Sequence, residues 1–102
     1  MSISLVYLIS DSTAIKIGSS NTEAISERIR CLQTGNPRKL YIQYVILYQR
    51  YELEFWLHER FSLVRLEGEW FNARSEFILK TAKQFSTDVK NHIYAWPCEI
   101  EG

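Results

Sequence analysis

Six polar side chains spread along the 102-residue chain are of the types that together can handle a phosphodiester: Tyr7, Lys16, Arg28, Glu54, His58 and Asn72. Cleaving such a bond requires a group that takes a proton from the attacking water. It also requires positive charge against the transition-state oxygens, and a ligand for a metal ion. Tyrosine or a metal-bound hydroxide supplies the first, arginine and lysine the second, glutamate the third. Magnesium prefers oxygen ligands and commonly takes only one or two carboxylates, keeping water for its remaining positions, so Glu54 alone would suffice. Each residue also has a plainer reading. Arg28 can solvate a helix or pair with an acid. Glu54, in the first turn of its helix, complements the macrodipole without any metal. His58 fits a core histidine bonded to a carbonyl. Tyr41, Tyr44, Tyr48, Trp56, Trp70 and Phe71 suit a core better than a base-stacking platform. Taken singly, none of these residues supports an enzyme.

The first element that must position them is an N-terminal hairpin. Leu5–Ile9 and Ala14–Gly18 are β-rich runs separated by Ser10-Asp11-Ser12-Thr13, a turn-forming cluster. With those four residues as the loop, Ile9 faces Ala14 and Tyr7 lies across from Lys16, Cβ atoms roughly 5 Å apart. An ammonium beside Tyr7 would stabilise its phenolate and lower its pKa. A snorkelling lysine beside a half-buried tyrosine is the plainer alternative. Gly18 then offers bare backbone where another group can come close.

Downstream, Ser20 and Glu23 have capping-box spacing, with Asn21 or Thr22 as equal alternatives for the cap. Ile25, Ile29 and Leu32 mark one helical face, Arg28 and Arg30 project away from it, and Gly35 with Pro37 supplies the stop. Leu40–Tyr48 reads as a central strand covered on both faces, its even positions all apolar or aromatic. A second helix over residues 51–62 carries the stripe Leu53, Leu57 and Phe61, widened by Trp56, with Glu54 and His58 one turn apart on another face. Leu63–Glu67 reads as a loop or short strand leading to Gly68-Glu69-Trp70-Phe71. Ser75 caps a third helix with the stripe Ile78, Ala82, Phe85 and Val89, continuing to about Ile93. The order is β-β-α-β-α-(β)-α, an α+β sandwich with a small sheet and helices beside it. Residues 1–95 make one domain, and 96–102 a loose tail containing Pro97.

Composition narrows the class. A hydrophobic content of 46% with 14% aromatic residues supports a real core. The longest apolar run, Tyr44–Tyr48, is too short to cross a bilayer, and no secretory signal pattern is present. Cys31 and Cys98 lack metal-type spacing and read as buried, inert thiols in a reducing cytoplasm. Twelve basic residues balance twelve acidic ones, which argues against a general polyanion binder. Residues 1–50 nevertheless carry six basic against three acidic residues. Arg30, Arg38 and Lys39 lie in that half, where nucleic-acid phosphates would be met locally.

In order along the chain, Val6-Tyr7-Leu8, Lys16-Ile17-Gly18, Arg28 with Leu32, Gly35-Asn36-Pro37, Glu54-x-x-x-His58-x-x-Phe61 and Gly68-Glu69-Trp70-Phe71 resemble the GIY-YIG endonuclease superfamily. The similarity is to its phage and bacterial branch, shared with the meiotically up-regulated gene domain, and spans about residues 5–73. The resemblance implies a three-stranded antiparallel sheet flanked by helices, and hydrolysis of DNA by one Mg2+ or Mn2+. It implies that Tyr7 orients or deprotonates the water, Arg28 balances phosphate charge and Glu54 binds the metal. Asn72 stands where the superfamily has a late polar residue. His58 is a feature of the branch that either orients Glu54 or locks helix to sheet. Lys16 replaces the second-motif tyrosine, and Leu5 stands where the first-motif glycine would be. A cytoplasmic protein of a bacterial host or phage-infected cell follows from the same resemblance. Two other classes compete with a nuclease. One is a catalytically silent relative that binds nucleic acid or a host protein. The other is a structural or oligomerising module, hinted at by the C-terminal helix and Trp96.

Overall fold

A computed structural model describes residues 4–21, 23–47, 53–89 and 94–96, with side chains described as far as residue 84. Thr22, Tyr48, Tyr51, Pro97 and Cys98, the side chains of Phe85, Val89 and Trp96, and the expected helix end near Ile93 lie outside the described residues.

The hairpin forms, in a different register. β1 (Ser4–Ser10) pairs antiparallel with β2 (Ile15–Asn21), placing Ser10 opposite Ile15, Ile9 opposite Lys16 and Tyr7 opposite Gly18. Asp11 sets the loop. Its Oδ1 accepts the backbone N–H groups of Thr13 and Ala14, both at 2.8 Å, and the Thr13 hydroxyl at 2.7 Å. Ser12 sits in the left-handed region at φ 79°. This Asx-type closure draws Ala14 into the loop and leaves Ser10 in the strand. The loop is therefore Asp11–Ala14, and Lys16 is displaced from the position across from Tyr7.

α1 (Ile25–Thr34) follows, entered through Asn21, whose Oδ1 accepts the N–H groups of Glu23 and Ala24 at 3.0 and 2.7 Å. Ile29 is its buried residue. Cys31 is exposed on another side of this helix, contrary to the buried thiol expected, because the buried stripe passes through Ile29 and not through position 31. β3 (Tyr41–Leu47) pairs with the other edge of β1. Its register slips where Leu8 faces Tyr44 but Ile9 faces Ile42, so Gln43 is an extra residue. The bulge reverses the strand's alternation. Leu40, Ile42 and Val45 consequently pack on the α1 side, while Tyr44 and Ile46 pack on the opposite face.

α2 (Leu53–Arg60) leads through a short 3-10 turn, Ser62–Val64, to β4 (Arg65–Glu67) and β5 (Trp70–Phe71). Gly68, at φ 56°, turns the chain between those two strands. α3 (Ser75–Val89) crosses back over the sheet, and β6 (Tyr94–Trp96) pairs with β3. Among the described residues the sheet therefore has six strands, in the order β4-β5-β2-β1-β3-β6. The expected three form its centre, extended at both edges by short strands too polar or too brief to show a period of two.

Two cores separate the faces. Val6, Leu8, Ile15, Ile17 and Ile46 meet Leu53 and Leu57 of α2, Phe61 just beyond its end, and Ile78 and Ala82 of α3. Leu5, Tyr7, Ile9, Leu40, Ile42 and Val45 meet Ile29 of α1. Burying an aliphatic side chain of this size stabilises by about 1.5–3 kcal/mol, so the two clusters fix which helix lies on which face. No helix among the described residues is long and apolar enough to cross a membrane.

Candidate metal and phosphate site

The polar groups meet at the edge of β2, just beyond the point where its partner runs out. β5 is two residues long and pairs with Ile15 and Lys16, so among the described residues no strand lies beside this edge from Ile17 onward. Two substitutes satisfy the exposed backbone of Ile17. Its N–H donates to the Glu69 carbonyl at 3.0 Å, and its carbonyl lies 2.9 Å from His58 Nε2. His58 is further held by an edge-on contact with Phe71, ring centroids 4.9 Å apart. His58 thus ties α2 to β2, and its Nε2 also lies 3.9 Å from Glu54 Oε2. With Nε2 engaged as donor to the Ile17 carbonyl, that nitrogen is not an open metal ligand.

Glu54, in the first turn of α2, turns its carboxylate back over β2, where Ser19 Oγ donates to Oε1 at 2.8 Å. Glu69, from the turn between β4 and β5, meets it there. Ligand atoms of Glu54, His58 and Glu69 all lie within 4.8 Å of one another. Lys16 Nζ is 3.2 Å from Glu69 Oε1 and 5.9 Å from the Trp70 ring centroid. Burial raises the Glu54 pKa above the ordinary glutamate range, and the hydrogen bond with Glu69 raises it further, against the pull of Ser19 and His58. Burial also disfavours ionised Glu69, but the hydrogen bond with Glu54 and the Lys16 ammonium outweigh it and hold that carboxyl low. The two neighbouring carboxyls are thus pushed in opposite directions, Glu54 up and Glu69 down. Oxygen donors so arranged fit a hard divalent cation such as Mg2+ or Mn2+.

Tyr7 reaches the same place from the opposite face of the sheet. It is 1% exposed, and its ring lies across Gly18. The Arg28 guanidinium acts on its phenol. The Tyr7 pKa is raised, first by burial; Arg28 opposes the rise, and the charges of Glu69 and Glu54 add to it. This overturns the expectation that Lys16 lowers it. The shifted register takes Lys16 off the position across from Tyr7, and its ammonium is directed to Glu69. Arg28 also borders an open depression of ≈ 350 Å³ lined by Ser4, Ser19, Ser20, Asn21 and Ala24, an anion-compatible wall of hydroxyl and amide groups without a carboxylate.

The other expected nucleic-acid contacts lie apart. Arg30 is hydrogen-bonded to Glu27 on the exposed side of α1. Arg38 donates to Thr13 Oγ1 at 2.9 Å and lies 4.0 Å from Asp11, bracing the β1–β2 loop. Lys39 stands over the Tyr41 ring at 5.5 Å. Asn72 is exposed, and its N–H donates to the Val64 carbonyl at 2.8 Å. Glu69 lies inside a motif that assigns it no role, and Ser19 belongs to none of the motifs. The Glu-Trp dipeptide after Gly68 was the available signal for the first; a serine near a strand end gave none for the second.

The sequence pattern of the T5orf172 domain matches residues 4–86, covering both cores and every residue of the site. No curated protein and no solved structure matches the chain.

Proposed function

The chain belongs to the T5orf172 domain family, and from that premise we propose that it is a divalent-metal-dependent DNA endonuclease of the GIY-YIG type. The family is associated with nuclease-like phage proteins, which supports a nucleic-acid-directed module in general terms. The observation that supports the finer reading is that Arg28 and the charges of Glu54 and Glu69, from separate elements, all act on the Tyr7 phenol, whose ring lies across Gly18 of β2.

In this reading Glu54 would hold Mg2+ or Mn2+, which when bound would supply Lewis-acid charge and an acidic water. Arg28 lies against the scissile phosphate and balances the negative charge that builds on its oxygens. Tyr7 is a neutral phenol at pH 7, since its pKa is raised. It therefore orients the attacking water by hydrogen bonding and does not stand ready as a phenolate base. Arg30, Arg38 and Lys39 provide at most peripheral backbone contacts, because other groups already engage them. The test is supercoiled plasmid with Mg2+ or Mn2+, comparing wild type with Glu54→Ala and Arg28→Ala. Metal-dependent nicking abolished by both substitutions supports the proposal.

The second reading, a silent DNA- or protein-binding relative, is favoured by the zero net charge. It predicts DNA binding that weakens steeply with salt, survives Glu54→Ala and is never followed by cleavage.

A further inference from the structure

We infer that Glu69 is a second oxygen ligand for the divalent ion at Glu54, and that Lys16 is an internal cation competing with that ion for it. The inference rests on reading this site as metal-dependent. Glu69 is not a carboxylate on a loose loop. Its carbonyl accepts the Ile17 N–H at 3.0 Å, the neighbouring Trp70 pairs with Lys16 in the ladder, and Gly68 turns the chain immediately before it. The backbone thus fixes its side chain on the β2 edge, within 4.8 Å of the Glu54 oxygens.

Lys16 enters from the Tyr7 side of the sheet, with its side chain only 11% exposed and its ammonium 3.2 Å from Glu69 Oε1. A lysine led past Trp70 to one oxygen of a two-carboxylate site supplies there the positive charge a bound ion would supply. A divalent ion taking both carboxylates displaces it. The released ammonium then lies on the face that carries Tyr7 and Arg28, where a phosphate would receive it. Among the three clustered donors His58 is the poorest ligand, its Nε2 being committed to the Ile17 carbonyl at 2.9 Å.

Mn2+ binding to the full chain without DNA, followed by electron paramagnetic resonance, tests this. Lys16→Met should tighten Mn2+ about threefold or more, since its competing cation is gone. Lys16→Arg should stay near wild type. Glu69→Gln should weaken Mn2+ about tenfold or more, and Lys16→Met should have no effect in that background. Circular dichroism confirms that each variant is folded, and Lys16→Gln replaces Lys16→Met if the latter is not. Wild-type Mn2+ affinity in either folded Lys16→Met or Glu69→Gln overturns the inference. If Glu54→Ala alone abolishes Mn2+ binding, the nuclease reading stands without this addition. If Glu54→Ala leaves binding intact, both fall.

Discussion

Tyr7 and Gly18 face each other across the β1–β2 ladder so closely that a Cβ at position 18 would stand 2.3 Å from Tyr7 Cζ and 2.4 Å from its hydroxyl oxygen. The three nearest atoms all belong to the Tyr7 side chain, which is itself buried and has little room to swing. Gly18→Ala should therefore push the phenol off its position beside Arg28. We expect nicking to fall about a hundredfold, the cost of misplacing a reacting group by about 1 Å. Stability should fall by about 1–3 kcal/mol from overpacking. Plasmid nicking and urea denaturation of the same preparation check both.

The Tyr7 phenol should titrate above free tyrosine, because burial dominates its environment. Its raised pKa contributes stability that is fully present below the unfolded value and lost as pH rises through the folded one. Tyr7→Phe should accordingly remove part of the alkaline loss of stability. Phenolate absorbance, taken as the difference from Tyr7→Phe, should shift further upward in Arg28→Met, which removes the opposing guanidinium. It should stay unchanged in Lys16→Met, whose ammonium is absent from the causes of the shift.

His58→Phe keeps the contact with Phe71 but strands the Ile17 carbonyl that Nε2 approaches at 2.9 Å. A buried acceptor left without its donor costs about 1–3 kcal/mol. Denaturant midpoints should show that loss, while His58→Gln, which can still donate, should recover part of it.

Salt dependence should sort the basic residues. Arg28→Ala should reduce the slope of log affinity against log salt for duplex DNA by about one phosphate's worth. Arg30→Ala should leave it nearly unchanged, because Glu27 already neutralises that guanidinium. Equal effects from the two substitutions would remove Arg28 from the phosphate.

The parts legible in the sequence were those carried by periodicity and by types that fit few roles. The stripe Leu53, Leu57 and Phe61 is buried as expected, although α2 itself ends at Arg60, and the α+β class is as expected. Two local details decided what the sequence left undetermined. Asp11 closes a loop one residue later than the polar cluster suggested, which moves every β1–β2 pairing by two and exchanges Lys16 for Gly18 opposite Tyr7. Gln43 inserts a bulge that reverses the face of Leu40 and Ile42, which no alternation pattern records. Glu69 was hidden for a related reason. It belongs to the site only because β5 is too short to cover the β2 edge, and strand length is a tertiary outcome.

Single-turnover nicking by Tyr7→Phe, Arg28→Ala and Glu54→Ala, alone and in pairs, tests most directly whether these three side chains work on one phosphate. Groups acting as a unit are non-additive, so each pair should be scarcely slower than its worse single substitution. Losses that multiply in the pairs, or nicking that persists at the wild-type rate in Glu54→Ala, would contradict the account.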